Sequence, residues 1–146
     1  MTDHGGLLDS LIDEFLHDAP RGARLLAVAS PDPIRSAAFA DALAAALTAH
    51  GSTASVVEPE AQEVDGLRAE IVAPFRAAGA DAVRIVAGGP ALLAPGPRGL
   101  WHYSVWLIEG DEVPHTAATA LVDVTDPAHP QRRLADYCAV PPSFLT

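Results

Sequence analysis

Ser30, Asp32, Arg35 and Ser36 stand within seven residues, between an apolar run, Arg24 to Ala29, and a long Ala-rich stretch that begins at Ile34. A strand, a small-residue loop and a helix are the setting in which backbone N–H groups and hydroxyls gather an anion at a helix N-terminus. A loop that grips phosphate needs glycines, so that its N–H groups can wrap the anion. It also needs a lysine for the β- and γ-phosphates and a Ser or Thr hydroxyl for Mg²⁺. Pro33 has no N–H to offer. Arg35 carries a Cβ and a long side chain where a backbone must come close. Ala37 cannot hold a metal. One positive charge survives in the loop, on Arg35, and the expected ligand is at most a weak anionic small molecule.

Other reactive residue types point to less. The six histidines (His4, His17, His50, His102, His115 and His129) lack the paired spacing of a zinc site, apart from His17 near Asp13 and Glu14, so no metal and no cofactor is expected. Cys138 is a lone cysteine, which excludes an intramolecular disulfide and reads as a small buried hydrophobe. Ser30, Ser36 and Ser104 lack a nucleophile elbow. Trp101, Tyr103 and Trp106 form a local aromatic cluster. It belongs to the core or, if one face is exposed, is the best candidate for a protein-partner or homodimer surface.

The elements that must position these residues follow from periodicity. Leu7, Leu8, Leu11, Ile12, Phe15 and Leu16 share one face of a short amphipathic helix over residues 6–18, which packs on the domain or docks a partner. Strands are expected at Arg24–Ala29, Ser52–Glu58, Asp81–Ala87, Tyr103–Ile108 and Ala118–Val124. Helices are expected at Ile34–His50 and Gln62–Ala78, ended by Gly51 and Gly79. Ala91–Leu93 reads as one helical turn and Ala94–Gly99 as loop. A final short helix is expected over Gln131–Cys138, before an irregular tail at residues 139–146. Strand and helix alternate, which predicts an α/β fold: three layers, with a mostly parallel five-stranded sheet and helices on both faces.

The chain of 146 residues suggests one domain, and 49% hydrophobic residues supply a core. Only 5% are aromatic, so Ala, Leu and Val must build most of it. A net charge of −10 repels nucleic acid and anionic membranes. The first eighteen residues carry four Asp and one Glu, unlike a signal peptide, and no apolar run has the length of a membrane span. A cytoplasmic location is the expectation.

Arg24–Leu47, RLLAVASPDPIRSAAFADALAAAL, resembles the start of uridine kinase-like proteins of the P-loop kinase superfamily, V-A-V-D-G-P-D-G-A-G-K-T-T-F-A-D-A-L. Pro31-Asp32 and Phe39-Ala40-Asp41-Ala42-Leu43 match in register. The motif's first Gly falls on Ser30, its last Gly on Arg35, its Lys on Ser36 and its Mg²⁺-binding hydroxyl on Ala37. Arg84–Glu109 is similar to a second block of the family through Gly89, Leu92, Leu93, Pro95, Gly99-Leu100-Trp101, Ser104-Val105 and Leu107. The family's strand-end acid falls on Gly88, and His102 stands where the family has Asp. Ala120–Pro130, ALVDVTDPAHP, resembles the closing v-v-v-D-n-T-D-p-x-x-P.

The resemblance implies a P-loop kinase-like fold with several working parts altered. Ser30, Asp32, Arg35 and Ser36 would be a vestigial phosphate loop and Glu58 a vestigial acid. Asp123, Thr125 and Asp126 would lie near a nucleotide base, although Asp126-Pro127 is also ordinary turn chemistry. The acceptor-binding insertion after the second strand is missing. The arginine-bearing lid is reduced to about ten residues, Glu109 to Ala118, a marginal length for a parallel crossover. The expected function is therefore a catalytically degenerate, pseudo-kinase binding or interaction module. Two alternatives are an active nucleoside or small-metabolite phosphotransferase, using Arg35, Glu58 and Asp123 or Asp126, and a small-ligand sensor in the vestigial cleft.

Overall fold

The computed structural model describes residues 3–115 and 117–133. Helix α1 (Asp3–Asp18) precedes strand β1 (Ala23–Ala29). Helix α2 (Pro33–Ala49) leads to β2 (Ala54–Val57). A helical stretch follows as α3 (Val64–Leu67), a π-helical segment (Arg68–Val72) and α4 (Ala73–Ala78). After β3 (Ala82–Gly88) come two 3₁₀ turns, Pro90–Leu93 and Pro97–Leu100, then β4 (Tyr103–Ile108), β5 (Ala120–Asp123) and β6 (Gln131–Arg133). The strand order is β2-β3-β1-β4-β5-β6. All neighbouring pairs are parallel except β5 with β6.

The sheet is buried on both faces because β1, β3 and β4 are near-continuous apolar runs. Alternate residues serve opposite cores. Leu26, Val28, Ile85, Val105 and Leu107 face α1 and α2, with Leu11, Phe15, Leu43 and Leu47. Leu25, Ala27, Val86, Trp106 and Ile108 face the other helical layer, with Leu67, Ile71, Phe75 and Leu93. The connection from β1 to β2 uses the first face. Connections that move across the sheet in the opposite sense use the second, as right-handed crossovers require.

Three local features refine the sequence expectations. The 62–78 helix is not uniform, because Pro74 lacks an N–H and its ring crowds the preceding turn, and a π-helical turn sits just before it. The link between β4 and β5 is a coil crossover that still delivers a parallel strand, with Val105 to Ile108 in register with Ala120 to Asp123. Gln131–Cys138 does not begin as a helix. Residues 131–133 form an antiparallel edge strand, because the turn through Asp126 and Pro130 folds the chain back onto β5. Arg132 then reaches Glu14 of α1. Cys138 and the tail at 139–146 lie outside the described residues.

Helix α1 packs on the domain through Leu7, Leu8, Leu11, Ile12 and Phe15, all buried. No helix among the described residues is long and apolar enough to cross a membrane.

Candidate functional site

The carboxyl ends of the parallel strands carry the turns where α/β proteins bind ligands, above all where successive connections diverge. From β1 the chain turns toward β3 and β2, and from β4 it turns toward β5. The divergence lies between β1 and β4, and α2 starts beside it.

The turn from Ser30 to Ser36 is short and bonded to itself. Asp32 is the N-cap of α2, and its Oδ1 accepts the Ile34 N–H at 3.0 Å. The Ser30 hydroxyl donates to the Asp32 carbonyl (2.7 Å) and accepts the Asp32 N–H (3.2 Å). Ser36 and Ser30 are both fully buried, with their hydroxyls 2.8 Å apart. Ser36 Oγ also donates to the Gly88 carbonyl at 2.9 Å, which ties the turn to the end of β3. The two hydroxyls thus hold the turn together.

Arg35 reaches the end of β4 and the link that follows it. Its Nη1 meets Glu112 Oε1 at 2.8 Å and its Nη2 meets Glu112 Oε2 at 3.1 Å. Nη2 is 3.4 Å from Glu109, and Nη1 is 3.4 Å from the Leu107 carbonyl. The hydrogen bond to Glu112 raises the Arg35 pKa against the opposing effect of burial. The same bond lowers that of Glu112. Glu112 also accepts the Glu109 N–H at 2.9 Å. The link where the resemblance expects a lid therefore closes on the first turn. Sequence reasoning did not find Glu112. Its separation of 77 residues from Arg35 leaves no local signal.

At the end of β3, Gly88 has little room for a side chain. A Cβ there would lie 3.1 Å from Leu92 Cδ1.

Glu58 is exposed at the end of β2. It lines a cavity of about 320 Å³ with Pro31, Pro33, Gly88 and Leu92. Arg35 lines a different cavity of about 330 Å³, with Phe39, Leu107, Glu109, Val124 and Pro127. Glu58 and Arg35 are thus not brought into one site.

Asp123 and Thr125 turn onto each other. Asp123 Oδ1 accepts the Thr125 hydroxyl at 2.6 Å and its N–H at 2.8 Å, and these two bonds lower the Asp123 pKa. Thr125 Oγ1 accepts the Gly110 N–H at 2.8 Å, which anchors the β4–β5 link. Asp126 caps the following turn through the Ala128 N–H and approaches His129. These three residues do the work of a turn.

Comparisons with known proteins add one neighbour. No family model matches the chain. No curated protein matches it. A solved structure is similar: the crystal structure of a "putative fructose transport system kinase" from Silicibacter sp. TM1040. It shares 23% identity and a TM-score of 0.48, over 80% of this chain and 77% of that one.

The aromatic cluster is not a surface patch. Trp101, Tyr103 and Trp106 are only 9%, 1% and 4% exposed. Trp101 and Trp106 pack in the second core and Tyr103 in the first. Of the two readings the sequence left open for these rings, the core reading is the one their burial matches: large apolar rings on a doubly covered sheet go inward. Trp101 Nε1 donates to the Leu92 carbonyl at 2.8 Å. Tyr103 donates to Glu14, and the ring of Trp106 lies 5.2 Å from that of His115. Among the described residues, no three His, Cys, Asp or Glu side chains are grouped to hold a metal.

Proposed function

We propose that this chain is a kinase-like scaffold that does not transfer phosphate and acts as a binding and interaction module. One observation carries the reading: the hydroxyls, the carboxylate and the guanidinium of the first turn all bond within the chain. Phosphoryl transfer rests on positioning and on neutralising charge. A triphosphate arriving here would have to displace Glu112 from Arg35, beside Asp32 and Glu109. It would find no lysine at Ser36, no hydroxyl at Ala37 and no acid at Gly88. The phosphotransferase reading is further disfavoured because Glu58 and Arg35 line separate cavities.

Calorimetry with ATP and Mg²⁺ tests the proposal. The expected result is no binding at micromolar nucleotide. Micromolar, Mg²⁺-dependent binding, or phosphate transfer from ATP or GTP to any nucleoside in a panel, would overturn it.

A second reading, a small-ligand sensor in the vestigial cleft, is favoured by the two cavities at the strand ends. Their size falls at the lower end of small-molecule sites. Its signature is a ligand-dependent melting shift without turnover. A protein partner or a second copy of the chain would engage a surface other than the buried aromatic cluster.

A further inference from the structure

We infer that the cavity between α2 and the ends of β4 and β5 binds a small organic cation, an ammonium group carried on a ring or short alkyl body. This rests on the small-ligand reading and names the ligand's chemistry. The walls are Ala38, Phe39, Ala42, Leu107, Val124 and Pro127, with Ile34 at the mouth. Phe39, Leu107 and Val124 are buried in the first core, so the cavity is preformed and its apolar surface is fixed. A volume of about 330 Å³ admits on the order of ten non-hydrogen atoms, at ~30 Å³ for each water-sized unit.

The polar part of the wall decides the sign of the charge. It consists of Asp32, Arg35 and Glu109. The terminal nitrogens of the Arg35 guanidinium are engaged, with two contacts to Glu112 and one to Glu109, while its buried Nε–H has no partner. The wall itself carries two carboxylates (Asp32 and Glu109) against one guanidinium, an excess of one negative charge, and Glu112, which bonds Arg35 without lining the cavity, raises the local excess to two. Asp32 gives one oxygen, Oδ1, to the helix cap. The Glu109 side chain is 46% exposed. An anion would meet this excess head on. A neutral ligand would fill the walls and gain nothing from the rim. A cation gains both, and the chain's net charge of −10 adds a long-range field of the same sign. This preference is opposite to that of a phosphate site.

Three ligands of matched shape separate the possibilities: 2-phenylethylamine as cation, 2-phenylethanol as neutral and 3-phenylpropionate as anion. Each is titrated by calorimetry and by thermal shift into the full chain, at low and high salt. The expected order is cation at least tenfold tighter than neutral, with the anion not bound, and the cation weakened by salt. In the double variant Asp32→Asn, Glu109→Gln, the cation should fall to the neutral ligand's affinity. Asn retains the helix cap in that variant. Ala38→Phe, at an exposed helix position on the wall, should abolish binding of all three. No binding of the amine at millimolar concentration, equal binding of the neutral or anionic ligand, or binding unchanged in Ala38→Phe would each overturn the proposal. Mg²⁺–ATP binding would overturn the non-catalytic reading alone, and failure of the amine arm would overturn this inference alone.

Discussion

Arg35, at the start of α2, and Glu112, in the coil between β4 and β5, face each other through two nitrogens and two oxygens, at 2.8 and 3.1 Å. The pair joins the first turn of the fold to its last crossover. The Arg35 side chain is 12% exposed, so its partner cannot be replaced freely by water. Glu112→Ala should destabilise the fold by about 1–2 kcal/mol, between the limits for exposed and buried pairs. Urea unfolding measures the loss. Hydrogen exchange should show faster opening of residues 109–115 than of β4. An unchanged midpoint together with unchanged exchange would show that the pair holds nothing.

Glu14, Tyr103 and Arg132 close the opposite end of the chain onto α1. Arg132 meets Glu14 with both terminal nitrogens at 3.1 Å, and Tyr103 donates its hydroxyl to the same carboxylate. The bond from Arg132 lowers the Glu14 pKa. A carboxyl depressed on folding contributes stability above the unfolded value of about 4.3, and that stability fades as pH falls. Acid unfolding should therefore be shallower in Glu14→Gln than in the parent chain. Denaturant midpoints between pH 6 and pH 3 provide the comparison, and parallel curves would remove Glu14 from the account.

Tyr103 runs the other way. Burial and then the Glu14 carboxylate raise its pKa. A phenol raised on folding stays neutral while the unfolded chain ionises from about pH 10. Stability should fall above that pH, and Tyr103→Phe should remove this alkaline loss at a cost of about 1–2 kcal/mol at neutral pH. Absorbance titration of the phenolate reports the ionisation directly. The chain has two tyrosines, so the Tyr103 signal is the difference between the parent and Tyr103→Phe, and a difference titrating near pH 10 would contradict the prediction.

His102 accepts the Leu25 N–H at Nδ1 (3.0 Å). Its pKa is lowered by burial and then by Arg76. His115, against Trp106, is lowered by burial and then by Arg98. A histidine depressed on folding gives its stability above the unfolded value of about 6.5. That stability is lost as pH falls, because the unfolded chain takes the proton first. Stability should thus decline from pH 7.5 to pH 5.5, with a smaller slope in His102→Gln. Titrating both rings by NMR checks the cause: a midpoint at or above 6.5 for either would exclude it.

Ser36 sits where the resemblance expects a lysine, yet its hydroxyl bridges the first turn to the Gly88 carbonyl at the end of β3. Ser36→Ala should cost about 1 kcal/mol, the usual net worth of one hydrogen bond, because the Gly88 carbonyl still accepts the Ser30 N–H at 3.3 Å. Ser36→Lys should cost more, because a long charged chain cannot enter that fully buried position. A lysine variant that is as stable as the parent and binds ATP would show that the turn can reopen.

Much of the fold was legible in the residue order. The apolar runs of β1, β3 and β4, and the helical spacing of Leu11, Phe15, Leu43 and Leu47, record burial locally, since each side chain's face follows from the period of its own element. The composition of the first turn was legible for the same reason: Pro33, Arg35 and Ala37 state what they lack without reference to any neighbour.

The destinations of the polar groups were decided only in three dimensions. Arg35 finds Glu112, Ser36 finds Gly88, and Glu14 finds both Tyr103 and Arg132, across 77, 52, 89 and 118 residues. No local period encodes such pairings. They arise because β1 and β4 lie side by side and β6 returns beside β5, which brings distant chain segments within the few ångströms where a hydrogen bond acts. The same distance rule undid the start of the expected final helix, because Gln131–Arg133 gains strand partners on β5 that the sequence alone does not display. The sequence showed which groups the first turn holds, and only the tertiary structure supplied the Arg35 partners that close it.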